Sequence, residues 1–250
     1  MKILTYILRK KGGVGRVISS LEPELKKLGH TLEVVSREDD LKCFSLLDSI
    51  KKMNKDIKQR SYDVILTNDW SIALPFLFKE NHFSLFHGME DRKLSKTLQK
   101  LVGSIMGENL MVVSFNMKRK FRKANLTQNG VDPKKFFDMK KTRRCFGWVK
   151  RDYDLINESE VRFLAKQRRL KVSIAENIRP DKMNEWYNSL EVFISMPPEK
   201  AGFNLCWLEA FRAGVPVILG NDNGVGIDNI RDEDFTIENQ ARKINEIITT

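Results

Sequence analysis

Residues 195–220, SMPPEKAGFNLCWLEAFRAGVPVILG, read as the end of a strand, a loop, a short helix, a tight turn and a second strand. Residues 190–194 ahead of them are mostly apolar and 215–219 are rich in β-branched side chains, as strands buried on both faces require. In the helix between, Leu205, Leu208 and Phe211 recur on one face, and Asn204 is placed to cap the N-terminus. Gly214 suits the left-handed position after the last turn, Pro216 forbids continuation, and Gly202 lets the loop turn tightly. A strand, loop and helix in this order present unpaired backbone N–H groups and the positive end of a dipole, a good seat for phosphate. Glu209 lies one turn in, and because helical side chains lean toward the N-terminus its carboxylate is aimed at that same mouth. A carboxylate there is a poor phosphate ligand but a good acceptor for two ribose hydroxyls. The plainer reading, a glutamate solvated on the polar face, is the commoner fate of helical glutamates.

Outward from this unit there is room for more than one such layer. A chain of 250 residues can form one large or two modest domains, and 41% hydrophobic residues suffice for true cores. No apolar run approaches the roughly 18 residues of a transmembrane helix. The N-terminal MKILTYILRKKGG lacks the long apolar stretch and cleavage site of a signal peptide, so a cytoplasmic protein is expected. Cys43, Cys145 and Cys206 lack the paired spacing of zinc sites or disulfide frameworks and read as reduced packing residues. With 44 Lys and Arg against 33 Asp and Glu, the net charge of +11 favours an anionic partner: nucleic acid, an acidic lipid surface or a phosphorylated substrate.

The chain opens as a βαβ unit. An apolar strand over 2–8 runs into the loop Lys10-Lys11-Gly12-Gly13-Val14-Gly15-Arg16, then a helix with Val17, Ile18, Leu21 and Leu25 on one face, then a strand over 31–35. Three glycines within four residues exceed what a turn needs and let a ligand approach the backbone at Gly12 and Gly13. After a charged helix over 41–60, residues 62–67 form a strand with Asn68, Asp69 and Trp70 at its carboxyl end, the edge where open α/β sheets bind ligands. Asn68 and Asp69 are acceptor-side candidates, and Asp69 can equally cap the next helix. His87-Gly88 ends a further strand, whereas His30 and His82 stand in turn-like, polar contexts. Lys118, Arg119, Lys120, Arg122 and Lys123 surround Met117 and Phe121, a cationic helix suited to an anionic membrane surface, to DNA or to water. The polar run 140–144 reads as a linker, which gives domains 1–140 and 141–250.

The run AGFNLCWLEAFRAGVPVI is similar to the donor-site signature of retaining GT-B glycosyltransferases of family 4, in which two glutamates eight residues apart bracket a Gly-Phe-Gly-Leu-like loop. The likeness extends in motif order along the chain: Gly12-Gly13, Leu28-Gly29-His30, His87-Gly88 and the turn Asn129-Gly130-Val131-Asp132. It implies an α/β, GT-B type fold of two Rossmann-like domains with parallel sheets facing a cleft, the acceptor on the N-terminal domain and a nucleotide-sugar, UDP- or GDP-linked, on the C-terminal one. It implies sugar transfer to a glycan or lipid-linked acceptor with retention, without metal or other cofactor. By the same resemblance Glu209 holds the ribose, Gly202, Phe203, Asn204 and Leu205 form the donor loop, and Ile178 belongs to the loop that holds the base. Arg151 and Lys150 neutralise the diphosphate, and His87 faces the donor sugar. Two positions depart from the pattern. Ala201 stands where the first glutamate falls, with Glu199 two residues early; Ile156 stands where a second cation is usual, leaving Lys150 to supply it. The C-terminal half is also short and leaves no room for the family's long helix crossing back to the N-terminal domain. An alternative resemblance, of Lys-Gly-Gly-Val-Gly to the loop of partitioning ATPases, departs from that loop where Arg16 and Val17 replace the phosphate-binding Lys and the magnesium-binding hydroxyl, and it ranks below the glycosyltransferase reading. A non-catalytic nucleotide- or nucleic-acid-binding relative is a second alternative.

Overall fold

The computed structural model describes residues 1–151, 154–198, 203–220 and 235–250. The N-terminal half is built from β1 (Lys2–Ile7), α1 (Gly13–Lys27), β2 (Thr31–Ser36), α2 (Leu46–Ile57), β3 (Val64–Thr67), α3 (Trp70–Ala73), β4 (His82–Phe86), α4 (Lys93–Met106), β5 (Leu110–Val112), α5 (Phe115–Lys120) and β6 (Asn125–Leu126). The C-terminal half follows with β7 (Cys145–Val149), α6 (Glu158–Gln167), β8 (Lys171–Ala175), α7 (Met183–Tyr187), β9 (Leu190–Ser195), α8 (Leu205–Arg212) and β10 (Val217–Leu219), and α9 (Ile237–Thr249) comes last. Strand order is β2-β1-β3-β4-β5-β6 in the first sheet and β10-β9-β7-β8 in the second, parallel throughout. Intervening helices supply the crossovers that parallel pairing requires.

Alternation along the strands assigns each face its cover. Ile3 and Ile7 of β1 meet Val17, Ile18 and Leu21 of α1, while Leu4 and Tyr6 meet Met53 and Ile57 of α2. Phe146 and Trp148 of β7 likewise join Val161 and Ala165 of α6. Ile156 is buried in this last cluster, so the position where the resemblance calls for a cation is a core site.

Both sheets reverse direction at their first strand. β2 and β3 flank β1, and β8 and β9 flank β7. Crossovers on either side of such a point leave to opposite faces and open a crevice at the carboxyl edge. The glycine loop and Asn68 stand at one crevice, and Lys150, Arg151 and the approach to α8 stand at the other.

One expectation is overturned at the C-terminus. α9 does cross back, packing on α1. His30 Nε2 and Asn245 Oδ1 are 2.6 Å apart, Gln240 Nε2 donates to Asn129 Oδ1 at 3.2 Å, and the Gly130 N–H donates to Gln240 Oε1 at 2.9 Å. Val131 pairs with Thr236 in a parallel bridge. A Cβ on Gly130 would stand 2.2 Å from the Thr236 carbonyl oxygen, which is why that turn carries glycine. Thirteen residues suffice because the helix need only span α1, not the whole sheet. His30 and His82 also differ from expectation: both are buried, and His82 Nε2 lies 2.9 Å from Thr67 Oγ1 with its ring edge on Phe76.

Candidate functional site

Glu209 is only 3% exposed, against the solvated reading that its helical position favoured. Its Oε2 accepts from the Tyr187 hydroxyl at 2.9 Å, and its Oε1 accepts from Arg16 Nη1 at 3.4 Å, across from the other half of the molecule. Tyr187 is held in turn by edge-on contacts with Phe136, Trp186 and Phe193, ring centroids 4.9 to 6.2 Å apart. A buried carboxylate needs such partners. Burial nevertheless pushes the Glu209 carboxyl above its usual range, with Arg16 and Tyr187 opposing the shift, and pushes the Tyr187 phenol up.

Three adjoining cavities meet at Arg16. The first, about 350 Å³, is lined by Lys150, Arg151, Glu176, Asn177, Ile178, Tyr187 and Glu209. A second, about 320 Å³, is lined by Gly13, His87, Asn129, Arg151, Phe203, Asn204 and Leu205. The third, about 460 Å³, lies between Ser19, Ser20, Lys135 and Asn184, with Leu205 and Glu209 in its wall. The chain thus gathers Gly13, His87, Lys150, Arg151, Ile178, Asn204, Leu205 and Glu209 around one cleft. Gly202, Ala201 and Glu199 lie outside the described residues. Phe203 is in the core, its ring against Trp207 and Phe235, with one side on the cavity.

The cations are not equally disposed. Lys150 Nζ sits 3.5 Å from Glu176 and 3.8 Å from Glu158. Arg151 Nη1 donates to Asn204 Oδ1 at 3.1 Å. Asn204 therefore does not cap α8 as expected: its backbone has the extended cap conformation, but its oxygen is taken by the guanidinium, a stronger donor than a backbone amide. The Asn204 amide nitrogen is left buried with no partner among the described residues. An orphaned donor between a guanidinium and a cavity is suited to an anionic oxygen.

The N-terminal wall is built differently. Gly12 caps α1 with φ of 106°, a conformation glycine adopts freely, and neither Gly12 nor Gly13 has a heavy atom within 4 Å of where a Cβ would stand. Gly13 is on the cavity wall; Gly12 is not among its lining residues. Asp69 caps α3, its Oδ1 accepting from the Ser71 N–H at 2.7 Å and from the Ser71 hydroxyl at 2.8 Å, and burial raises its carboxyl. Asn68 is buried and its Oδ1 accepts from His87 Nε2 at 3.1 Å. Neither Asn68 nor Asp69 lines the three cavities. Burial depresses His87 to about 4, so its imidazole is neutral near pH 7 and its Nδ1 is left as an acceptor.

Arg16 and Tyr187 are members of the site that sequence reading missed; Asn204, expected in the donor loop, stands there with its oxygen on Arg151. Arg16 stood out only as the residue that spoils an ATPase loop. Its partner is 193 positions away, which no local pattern reveals. The same contact brings Glu209 of the C-terminal half beside the glycine loop of the N-terminal half. No group of three or more His, Cys, Asp or Glu with metal-binding geometry occurs among the described residues.

No family model matches the chain, and no curated protein matches it in sequence. Solved structures match it in shape. Sucrose-phosphate synthase from Thermosynechococcus elongatus aligns with a TM-score of 0.68 over 99% of this chain and 90% of that one, at 14% identity. The lipopolysaccharide outer core galactosyltransferase WaaB aligns at 0.67 over 100% and 99%, with 12% identity. HepE of Anabaena, solved in complex with UDP-glucose, aligns at 0.60 over 100% and 96%, with 14% identity. At these identities the likeness speaks to architecture: the chain has the α/β fold of GT-B glycosyltransferases, two parallel sheets with a cleft between.

Proposed function

We propose that the chain is a retaining glycosyltransferase of family 4 type, transferring a sugar from a UDP- or GDP-linked donor to a glycan or lipid-linked acceptor without a metal. The observation that carries this reading is Glu209: a buried carboxylate opening on the cavity that Lys150, Arg151 and the 176–178 loop also line. A carboxylate so placed accepts from two ribose hydroxyls, while Arg151, Lys150 and the Asn204 amide take the diphosphate and the loop at Ile178 takes the base. Arg16, entering from the opposite half, adds a cation that closes on the donor. The sugar C1–O bond breaks with its electron pair going to the diphosphate, the acceptor oxygen bonds to C1 on the face the diphosphate leaves, and the acceptor proton passes to a departing phosphate oxygen. Cations and N–H donors stabilise that leaving charge as it develops. His87, neutral, accepts at Nδ1 a hydrogen bond from a hydroxyl of the donor sugar. Closure of the halves keeps water from hydrolysing the donor. The domain boundary falls at residue 140, with α9 crossing back, and the enzyme works in the cytoplasm or at its membrane face.

A thermal-shift screen against UDP, GDP, their sugar conjugates and ATP tests this. A donor at 100 times its Kd stabilises the fold by about 2.7 kcal/mol. A shift with a nucleotide-sugar, together with its slow hydrolysis, supports the reading. A magnesium-dependent shift with ATP alone would return the glycine loop to the ATPase class, and no shift with any nucleotide would make the chain a non-catalytic relative.

A further inference from the structure

We infer a second ligand site, which shares no lining residue with the cleft: an anionic lipid surface docks along α4 and the turn that follows α5. Gln99, Val102, Gly103 and Met106 turn one side of α4 to the core. At 3.6 residues per turn the outward surface that remains is divided lengthwise. Leu94, Leu101 and Ile105 fall on one flank, 73%, 56% and 44% exposed, and Lys93, Lys96 and Lys100 fall exposed on the other. Beside the last turn, Lys100, Lys120, Arg122 and Lys123 border a cavity of about 480 Å³ floored by Gly103 and Phe121. Between residues 93 and 125 there are eight Lys and Arg against one carboxylate, Glu108, so this span carries +7 of the chain's +11.

The structure redraws the basic stretch seen in the sequence. Lys118 turns inward, its Nζ donating to the carbonyls of Arg122 and Ala124, and Arg119 donates to Asn116 Oδ1. Lys118 therefore shapes the turn, and the turn presents Arg122 and Lys123 beside Lys100. A cavity walled by cations fits a phosphodiester headgroup, and the large aliphatic side chains on the other flank of the same outward face fit the acyl boundary. Nucleic acid would use the cations but offers nothing to Leu94, Leu101 and Ile105, and a single-strand groove would carry aromatic platforms in their place. The surface does not depend on the glycosyltransferase reading. It would hold the protein with the start of α4, just after the cleft residue His87, beside the membrane.

The experiment is co-sedimentation of the full chain with vesicles of phosphatidylcholine, with and without phosphatidylglycerol. Binding is expected only to the acidic vesicles and should weaken as salt rises. The triple variant Lys100→Ala, Arg122→Ala, Lys123→Ala should lose about a hundredfold in vesicle affinity, at about fivefold per cation near an anionic surface. Leu101→Ser with Ile105→Ser should weaken binding without changing its salt slope. Circular dichroism and an unaltered nucleotide response at the cleft control for folding, and the milder Lys123→Glu serves if the triple variant is unstable. Equal binding to neutral vesicles, or wild-type binding by the triple variant, would overturn the proposal. So would tighter binding to duplex DNA than to acidic vesicles, unaffected by the two serine substitutions.

Discussion

The two walls of the cleft differ in how their polar groups are held. On the C-terminal wall the charges are paired within reach of the cavities: Glu209 with Tyr187 and Arg16, Lys150 with Glu176 and Glu158, Arg151 with Asn204. On the N-terminal wall, Arg16 aside, the polar groups facing the second cavity are neutral: His87, uncharged on Asn68, then Asn129 and bare backbone at Gly13. The difference assigns tasks. A wall of paired charges can exchange its partners for a diphosphate and a ribose at little net cost, since the desolvation is already met. A neutral wall discriminates by shape and single hydrogen bonds, which suits an uncharged sugar.

Breaking the charged wall should have the largest effect. Glu209→Ala removes charge-assisted bonds worth about 1.5–3 kcal/mol each, so the donor Kd should rise by about tenfold or more. Because Tyr187 is buried against it, the substitution should also lower stability by about 1–3 kcal/mol, an unpaired hydroxyl being left behind. Glu209→Gln should keep most of the stability and still lose affinity. Isothermal titration with chemical denaturation separates the two, and unchanged donor affinity in both variants would sink the assignment.

The neutral wall is tested by pH. The folded His87 titrates near 4, below its ordinary value of 6.5, so the unfolded chain takes up a proton that the folded chain refuses. Its contribution is fully present above pH 6.5 and is lost as pH falls toward 4, at about 1.4 kcal/mol per pH unit within that window. The buried His82, also depressed to about 4, adds a loss of the same sign. Denaturation midpoints measured across the window should therefore fall, and His87→Asn should flatten the slope. A slope the substitution leaves intact would mean that His87 is charged in the fold. Over the same acid range donor affinity should fall, because the raised Glu209 carboxyl becomes protonated before an ordinary one and ceases to accept from two hydroxyls.

Arg16 joins the walls, and its effect should be smaller and more selective. Its side chain is 46% exposed and its bond to Glu209 is long, so Arg16→Ala should leave stability within about 1 kcal/mol. Donor affinity should fall by about tenfold, the loss of one charge-assisted hydrogen bond. In a double-mutant cycle with Glu209→Ala the two effects should fail to add. Additivity would mean that Arg16 acts on the donor independently of Glu209. The smallest expected effect is that of chelation: under the proposed reading, in which Lys150, Arg151 and Arg16 neutralise the diphosphate, EDTA should leave activity unchanged, and loss restored by magnesium or manganese would show a metal site where none is proposed.

Local pattern was enough to read the alternation of strands and helices, the glycine loop, the turn at Gly214 and the strand-end positions of Lys150, Arg151 and His87. These are properties of neighbours in sequence. What escaped it were pairings made at a distance. Glu209 looked solvated because its helix position says nothing of Tyr187 and Arg16. Asn204 looked like a cap because the competing guanidinium belongs to another loop. Lys118 looked like one cation among five until the turn it braces was seen. Ile156, in the place of a second cation, proved to be a core residue of the α6 face, so the departure there reflects packing and not an exposed substitution.

α9 has one more implication, for the order in which the molecule can be made. It rests on α1 and fastens to Gly130 and Asn129, yet it is translated after every strand of both sheets. A growing chain can assemble its first sheet early, as N-terminal domains do. Until residues 236–249 emerge, however, α1 lacks the helix that packs on it, and the 129–132 turn has no bridge to close. The N-terminal half is thus finished by the tail of the second, and a ribosome paused between the two leaves an apolar helix face waiting.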